Sequence, residues 1–160
     1  MLLLLIRHAQ AAEQNEKRYP DDTLRPLMPK GRSVQQRICK EMGKRKLVPD
    51  RVFSSPWKRA WQTARIVVEE AGLPKKARIA CQSLAGLPDL AALAADIGEV
   101  KPDETIALVG HKPWIDALAA LLLTGSASGL TIDFTPSAVM AIETAELTPA
   151  TGTLKFFLHR

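Results

Sequence analysis

The amino-acid sequence predicts an α/β sandwich, a largely parallel sheet with helices on both faces. Two short apolar runs, residues 2–6 and 105–109, continue without a polar break and end at polar or glycine residues, the pattern of strands buried on both sides. Amphipathic stretches with helical spacing fall between and after them, so strand and helix patterns alternate through most of the chain. No internal repeat, low-complexity run or long linker interrupts the 160 residues, and a single domain spanning 1–160 is expected. With 46% hydrophobic and 24% charged residues, such a chain can bury a core and is not disordered throughout.

Residues 2–6 form the first strand. Residues 13–32 are polar and carry Pro20, Pro26 and Pro29, which predicts a loop. Twenty residues without structure are unusual inside a compact domain and more often functional than accidental. Residues 33–46 place Val34, Ile38 and Met42 at four-residue intervals with Cys39 beside them, an amphipathic helix. Residues 51–54 are a short strand. Pro56 then stands at a first helical position with Ser55 as N-cap. That helix carries Trp57, Ala60, Trp61, Ala64, Val67, Val68 and Ala71 on one face, and Gly72-Leu73-Pro74 stops it. A weak strand falls near residues 78–80. Leu90, Leu93, Ala94 and Ile97 mark a helix ended by Gly98. After the 105–109 strand, Pro113 opens a strongly apolar helix with Ile115, Leu118, Leu121 and Leu122. Residues 138–144 and 153–158 read as two closing strands.

The net charge of +5 is unevenly placed: residues 1–80 hold 18 Lys and Arg against 8 Asp and Glu, residues 81–160 only 4 against 9. A basic half suggests an anionic partner. Nucleic acid is not expected, because the aromatic residues sit at core spacing and do not interleave with Lys and Arg. The sequence has no P-loop, GxGxxG, HExxH, CxxC or GxSxG motif. Three scattered histidines and two cysteines, Cys39 and Cys81, make neither a metal site nor a disulfide framework, although one bridge stays open. Residues 1–6 are too short to span a bilayer and lack the features of a signal peptide. The expectation is a cytoplasmic protein, monomeric by default, without membrane association, metal or cofactor.

In open α/β sheets, ligands bind beyond the carboxyl ends of the strands. There the sequence places Arg7 and His8 after the first strand, Arg59 in the first turn of the helix after the second, and Gly110-His111 after the 105–109 strand. Taken singly, a histidine after a strand is more often a hydrogen-bonded structural residue than a catalyst. Taken together, these residues describe a cationic pocket containing a histidine able to act as nucleophile. Arg59 in a first helical turn opposes the helix dipole and needs a carboxylate or other anion nearby. His159 is expected at the surface, and Lys40, Lys44, Arg45 and Lys46 as the solvated end of a helix.

Leu5-Ile6-Arg7-His8-Ala9 resembles the RHG signature of the histidine phosphatase superfamily, the phosphoglycerate-mutase-like fold. Three further segments are similar to its SixA-type branch, small proteins that dephosphorylate phosphohistidine on signalling proteins. They are Leu24-Arg25-Pro26-Leu27 with Lys30-Gly31, Ser54-Ser55-Pro56 with Arg59-Ala60 and Gln62-Thr63-Ala64, and Val109-Gly110-His111. The resemblance runs in order from residue 2 to about residue 120; the last 40 residues match only in general character. It implies a three-layer αβα sandwich with a mostly parallel mixed central sheet. It also implies His8 as the nucleophile, forming a phosphohistidine intermediate. Arg7, Arg59 and His111, with Arg25 from the long loop, would bind the phosphoryl oxygens, and no cofactor or metal would be needed. The implied partner is a phosphohistidine-bearing protein or a small phosphorylated substrate. Guanidinium forks suit phosphoryl oxygens, and His8 must be neutral at its attacking nitrogen while the other nitrogen donates to a fixed acceptor.

Two departures from the family pattern matter. Ala9 stands where the signature has glycine, which strains the chain only if that position needs a positive φ. Larger relatives place a glutamate general acid after a middle strand, whereas Cys81-Gln82-Ser83-Leu84-Ala85-Gly86-Leu87-Pro88 holds no acid before Asp89. An alkoxide leaving group needs that proton badly, while an imidazole can leave already protonated. The gap favours an N–P substrate over a sugar phosphate, unless Asp21 or Asp22 supplies the proton. A broad small-molecule phosphomonoesterase and a non-catalytic phospho-ligand binder remain the alternatives. Arg7-His8 together with His111 speaks against the second, since a binder needs no nucleophile.

Overall fold

The computed structural model describes residues 1–159. Six strands and four helices follow in the order β1 (Leu2–Arg7), α1 (Pro29–Lys44), β2 (Arg51–Ser54), α2 (Lys58–Glu70), β3 (Arg78–Ala80), α3 (Leu90–Ile97), β4 (Thr105–Gly110), α4 (Trp114–Thr124), β5 (Val139–Glu143) and β6 (Thr153–Leu158). They form one sheet in the order β3-β2-β4-β1-β5-β6. β1, β2, β3 and β4 are mutually parallel, and β5 runs antiparallel to both β1 and β6. The sheet is therefore mixed and mostly parallel, as expected.

Successive residues of a strand point to opposite faces, and here each face meets helices. Leu3 and Leu5 pack with Phe53, Ile106 and Leu108 against Leu93 and Ile97 of α3 and Ile115, Leu118 and Leu122 of α4. Leu4 and Ile6 pack with Val52, Ala107 and Val109 against Val34, Ile38 and Met42 of α1 and Ala60, Ala64 and Val67 of α2. Two covered faces leave no position for a polar side chain, which is why the central strands read as unbroken apolar runs. Each fully buried Leu or Ile contributes about 1.5–3 kcal/mol before ordering costs. Among the described residues, no helix is long and apolar enough to cross a membrane.

The structure moves several expected boundaries. α1 begins at Pro29, inside the segment expected to be loop, because proline suits a first helical position. The remaining loop holds a 3₁₀ turn, Asp22–Leu24, capped by Asp21, whose carboxylate accepts the Thr23 N–H at 2.9 Å. α2 begins at Lys58 with Trp57 as its N-cap, not at Pro56 after Ser55. The Ser55 hydroxyl accepts the Trp57 N–H at 3.3 Å across the preceding turn and lies 2.8 Å from His111 Nε2. Trp61 and Ala71 are only half-buried, and Arg59 and Thr63 join the buried face in their place. Cys39 and Cys81 are free thiols on opposite faces of the sheet, so no bridge joins them. His159 is exposed, its ring 5.1 Å from that of Phe157.

Candidate active site

The site is assembled where β1, β2 and β4 end. The Gly110 carbonyl accepts the His8 N–H at 3.0 Å and the Val109 carbonyl accepts the Ser55 N–H at 3.0 Å, tying the three departing segments side by side. Their side chains line one cleft of about 280 Å³, which brings together Arg7, His8, Arg25, Arg59 and His111. A tighter apolar hollow between α3 and α4 also touches His111 and Trp114, but its space of about 10 Å³ admits no more than a water.

Arg7 is fastened by residues 134–138. Its N–H reaches the Ala138 carbonyl at 3.1 Å, its carbonyl accepts from Ser137 N at 3.2 Å, and its guanidinium donates to the Phe134 carbonyl at 2.7 Å. Burial lowers the Arg7 pKa while the charges of Asp116 and Asp133 oppose the change. Its Nε is buried without a protein partner.

His8 is 8% exposed. Its Nδ1 lies 2.7 Å from the Ala9 carbonyl and its Nε2 lies 3.3 Å from Arg59 Nε, an N–H donor. A carbonyl can only accept, so the ring proton sits on Nδ1 and the lone pair on Nε2. Burial, and then the charges of Arg59, Arg7 and Arg25, push the His8 pKa down to about 3 against the opposing pull of the Ala9 carbonyl. Ala9 itself is not among the residues of positive φ, so its methyl group replaces glycine without backbone strain, and its N–H donates to Thr63 Oγ1 at 3.0 Å.

The carboxylate that Arg59 needs is Asp22. Arg59 bonds Asp22 Oδ2 at 3.0 Å and the Asp22 carbonyl at 2.8 Å. Arg25 donates to Asp22 Oδ1 at 2.9 Å and to the Ala12 carbonyl at 2.7 Å. Burial alone would raise the Asp22 carboxyl, yet Arg25 and Arg59 hold it below its ordinary range. Hydrogen bonds from the Thr23 hydroxyl and N–H hold Asp21 low as well. At neutral pH neither aspartate has a proton to give. Asp89, the first acid after β3, is spent capping α3, accepting from the N–H groups of Ala91 and Ala92 at 3.0 Å.

His111 is almost fully buried, with its ring 5.1 Å from that of His8 and 4.6 Å from that of Trp57. Burial first, then the neighbouring His8 and arginine charges, push its pKa down to about 2. Nδ1 of this ring is buried and unpartnered. Trp57, Trp114 and Pro136 give the cleft flat apolar walls, and Lys112 stands at its edge, bonded to Asp133 at 3.0 Å. Sequence reasoning assigned no role in the site to Trp57, Trp114, Lys112 or residues 134–138. Its one usable signal concerned Asp22, through the unmet requirement of Arg59 for an anion.

The arrangement offers three guanidinium groups, two neutral imidazoles and a nucleophilic nitrogen held in one tautomer, with no protonated carboxyl group among the residues lining the cleft. It suits the binding of a phosphoryl-sized anion beside the His8 Nε2 lone pair.

Known proteins resemble this chain in sequence and in fold. Residues 3–80 match the family model of the histidine phosphatase superfamily (branch 1). An uncharacterized protein of Picosynechococcus sp. is 33% identical over 125 residues, 74% of this chain and 73% of that one. The chain belongs to the histidine phosphatase superfamily. Its fold is that of the protein histidine phosphatase SixA, solved with tungstate, at a TM-score of 0.81 and 24% identity, covering 99% of this chain and 96% of that one. A phosphoserine phosphatase of Entamoeba histolytica, solved with 3-phosphoglyceric acid, superposes at 0.69 with 16% identity over 99% and 97% of the two chains. A mycobacterial glucosyl-3-phosphoglycerate phosphatase superposes at 0.64 with 19% identity over 96% of each. At such identities the likeness establishes the fold.

Proposed function

We propose that this protein is a phosphatase that works through a phosphohistidine intermediate on His8, and that its substrate is phosphohistidine carried by a protein. The single observation that carries the reading is the state of His8: a buried, neutral imidazole with its proton held on Nδ1 by the Ala9 carbonyl and its Nε2 lone pair amid Arg7, Arg25 and Arg59. In the first step the Nε2 lone pair forms a bond to phosphorus as the bond from phosphorus to the leaving nitrogen breaks. The leaving imidazole departs as a neutral ring, already carrying a proton on its other nitrogen. In the second step water attacks the phosphorus of phospho-His8, the P–N bond breaks, and phosphate and neutral His8 are released. The guanidinium groups of Arg7, Arg25 and Arg59 offset charge on the phosphoryl oxygens in both transition states. The reading includes no metal or cofactor, and cytoplasmic action as a monomer.

The N–P preference is supported by the engaged, ionised states of Asp21 and Asp22, by the capping role of Asp89, and by a cleft lining that includes no carboxyl group to protonate an alkoxide. The flat walls formed by Trp57 and Trp114 suit a ring leaving group. A second reading, small-molecule phosphomonoesterase, is favoured by the open cleft, whose 280 Å³ exceeds what a phosphoryl group alone fills. The test is rapid mixing with a phosphorylated donor, quenching without acid, and mass spectrometry of the peptide containing His8. Phosphate on His8, lost in His8→Ala together with turnover, is the expected result; turnover retained in His8→Ala overturns the mechanism. Comparing kcat/KM for a phosphohistidine protein with that for alkyl phosphate monoesters tests the substrate. A clear preference for the esters overturns the N–P assignment and leaves the intermediate standing.

A further inference from the structure

We infer that Ser55 is a positioning residue that holds His111 in the Nδ1–H tautomer, so that His111 donates a hydrogen bond into the anion cleft. The inference rests on the reading of that cleft as a phosphoryl site. Ser55 is fully buried, and its hydroxyl has two partners among the described residues: the Trp57 N–H at 3.3 Å and His111 Nε2 at 2.8 Å. A hydroxyl has one proton to donate and two lone pairs to accept with. The Trp57 N–H can only donate, so one lone pair is taken.

Two arrangements remain for the histidine. If Nε2 carried the ring proton, it would also donate to Ser55, and the serine proton would be left buried without an acceptor. Nδ1 would then turn a lone pair toward an incoming anion. If Ser55 donates to Nε2, its hydroxyl is fully used and the ring proton sits on Nδ1. That atom is buried and has no protein partner, on a ring that lines the cleft with Arg7, His8 and Arg59. A phosphoryl oxygen completes it. In the free protein the first arrangement leaves two buried groups unpaired, the serine O–H and the Nδ1 lone pair, whereas the second leaves only the Nδ1 N–H, which a charged acceptor in the cleft then completes with a strong bond, so the second arrangement wins. The Trp57 ring packed 4.6 Å away restrains the imidazole in that orientation.

The test is nitrogen-15 NMR of histidine-labelled protein, free of ligand at neutral pH. His111 is expected to carry its proton on Nδ1, with Nε2 as an acceptor. In Ser55→Ala the proton redistributes toward Nε2, and orthovanadate binds roughly 10- to 100-fold more weakly, the loss of one charge-assisted hydrogen bond. The His8 tautomer stays unchanged. Ser55→Thr, which keeps a hydroxyl, restores the Nδ1 proton. A wild-type His111 protonated on Nε2 overturns the inference on its own, whatever the variants do. So does a Ser55→Ala protein that keeps both the Nδ1 proton and its vanadate affinity. The tautomer is read in the free protein, so it stands or falls apart from whether His8 becomes phosphorylated.

Discussion

Each carboxylate oxygen of Asp22 holds a different guanidinium, Oδ1 that of Arg25 and Oδ2 that of Arg59, at 2.9 and 3.0 Å. In the free protein Asp22 thus stands in for part of the charge that a bound anion supplies. Asp22→Asn keeps the shape and removes the charge, leaving Arg59, only 4% exposed, without a counter-ion. An unpaired buried charge costs several kcal/mol, but the Asp22 side chain is 37% exposed, so the expected loss of stability is about 1–2 kcal/mol. Orthovanadate should then raise the melting temperature of Asp22→Asn more than that of the wild type, because the anion restores the missing charge. Equal shifts in the two proteins would show that Asp22 does not balance the cleft. Arg7, His8, Arg59 and His111 were legible in the sequence because each directly follows a strand or opens the helix behind it. The role of Asp22 was not, since it depends on a long loop folding residue 22 against residue 59.

The element that closes the site is the junction of the β1 exit with the start of α1. The Gln10 carbonyl accepts the Met28 N–H at 3.0 Å, the Ala12 N–H reaches the Pro26 carbonyl at 2.9 Å, and the Gln62 side chain accepts the Leu27 N–H at 2.8 Å. Gly31 permits this approach: a Cβ there would lie 2.2 Å from the Gln10 carbonyl oxygen, a backbone atom that no rotamer change can move. Gly31→Ala is therefore expected to cost about 1–3 kcal/mol, as overpacking does, and to lower kcat/KM by shifting residues 9–12, including the carbonyl that holds the His8 tautomer. Gly43 in the same helix has nothing within 4 Å of its would-be Cβ. Gly43→Ala should be neutral or stabilising by up to about 1 kcal/mol. Urea melts and kcat/KM of the two variants check the contrast, and similar losses in both would count against the close contact. The start of α1 was misplaced in the sequence reading because Pro29 serves equally as a loop residue and as a first helical residue. Apolar spacing begins only at Val34 and cannot decide between the two. Ser55 misled in the same way, since a serine before proline resembles a helix cap whether its hydroxyl serves the helix or a histidine 56 positions away.

At the scale of the whole molecule, the double-faced burial of β1 and β4 made the layered architecture legible, while the reversal of β5 was not, because an isolated apolar strand carries no mark of its direction. The same burial that defines the layers keeps His8 and His111 neutral, and this couples the site to global stability. Their pKa values fall from the ordinary 6.5 to about 3 and about 2, with burial the largest cause in both. As pH drops below 6.5, the unfolded chain takes up a proton at each histidine and the folded protein does not. Stability contributed by the neutral rings is therefore complete above that pH and is lost as pH falls toward 3. Each histidine contributes a slope of about 1.4 kcal/mol per pH unit once well below 6.5, so the pair should lower the unfolding free energy by about 4 kcal/mol between pH 7 and pH 5. For a domain whose total stability is about 5–15 kcal/mol, that is a large fraction. Urea unfolding at pH 7, 6 and 5 measures it, and replacing either histidine by glutamine should remove about half of the dependence. A stability that stays level from pH 7 to 5 would mean that both rings take up protons in the folded state, and that the cleft in solution is more open to water than the packing of His8 and His111 implies.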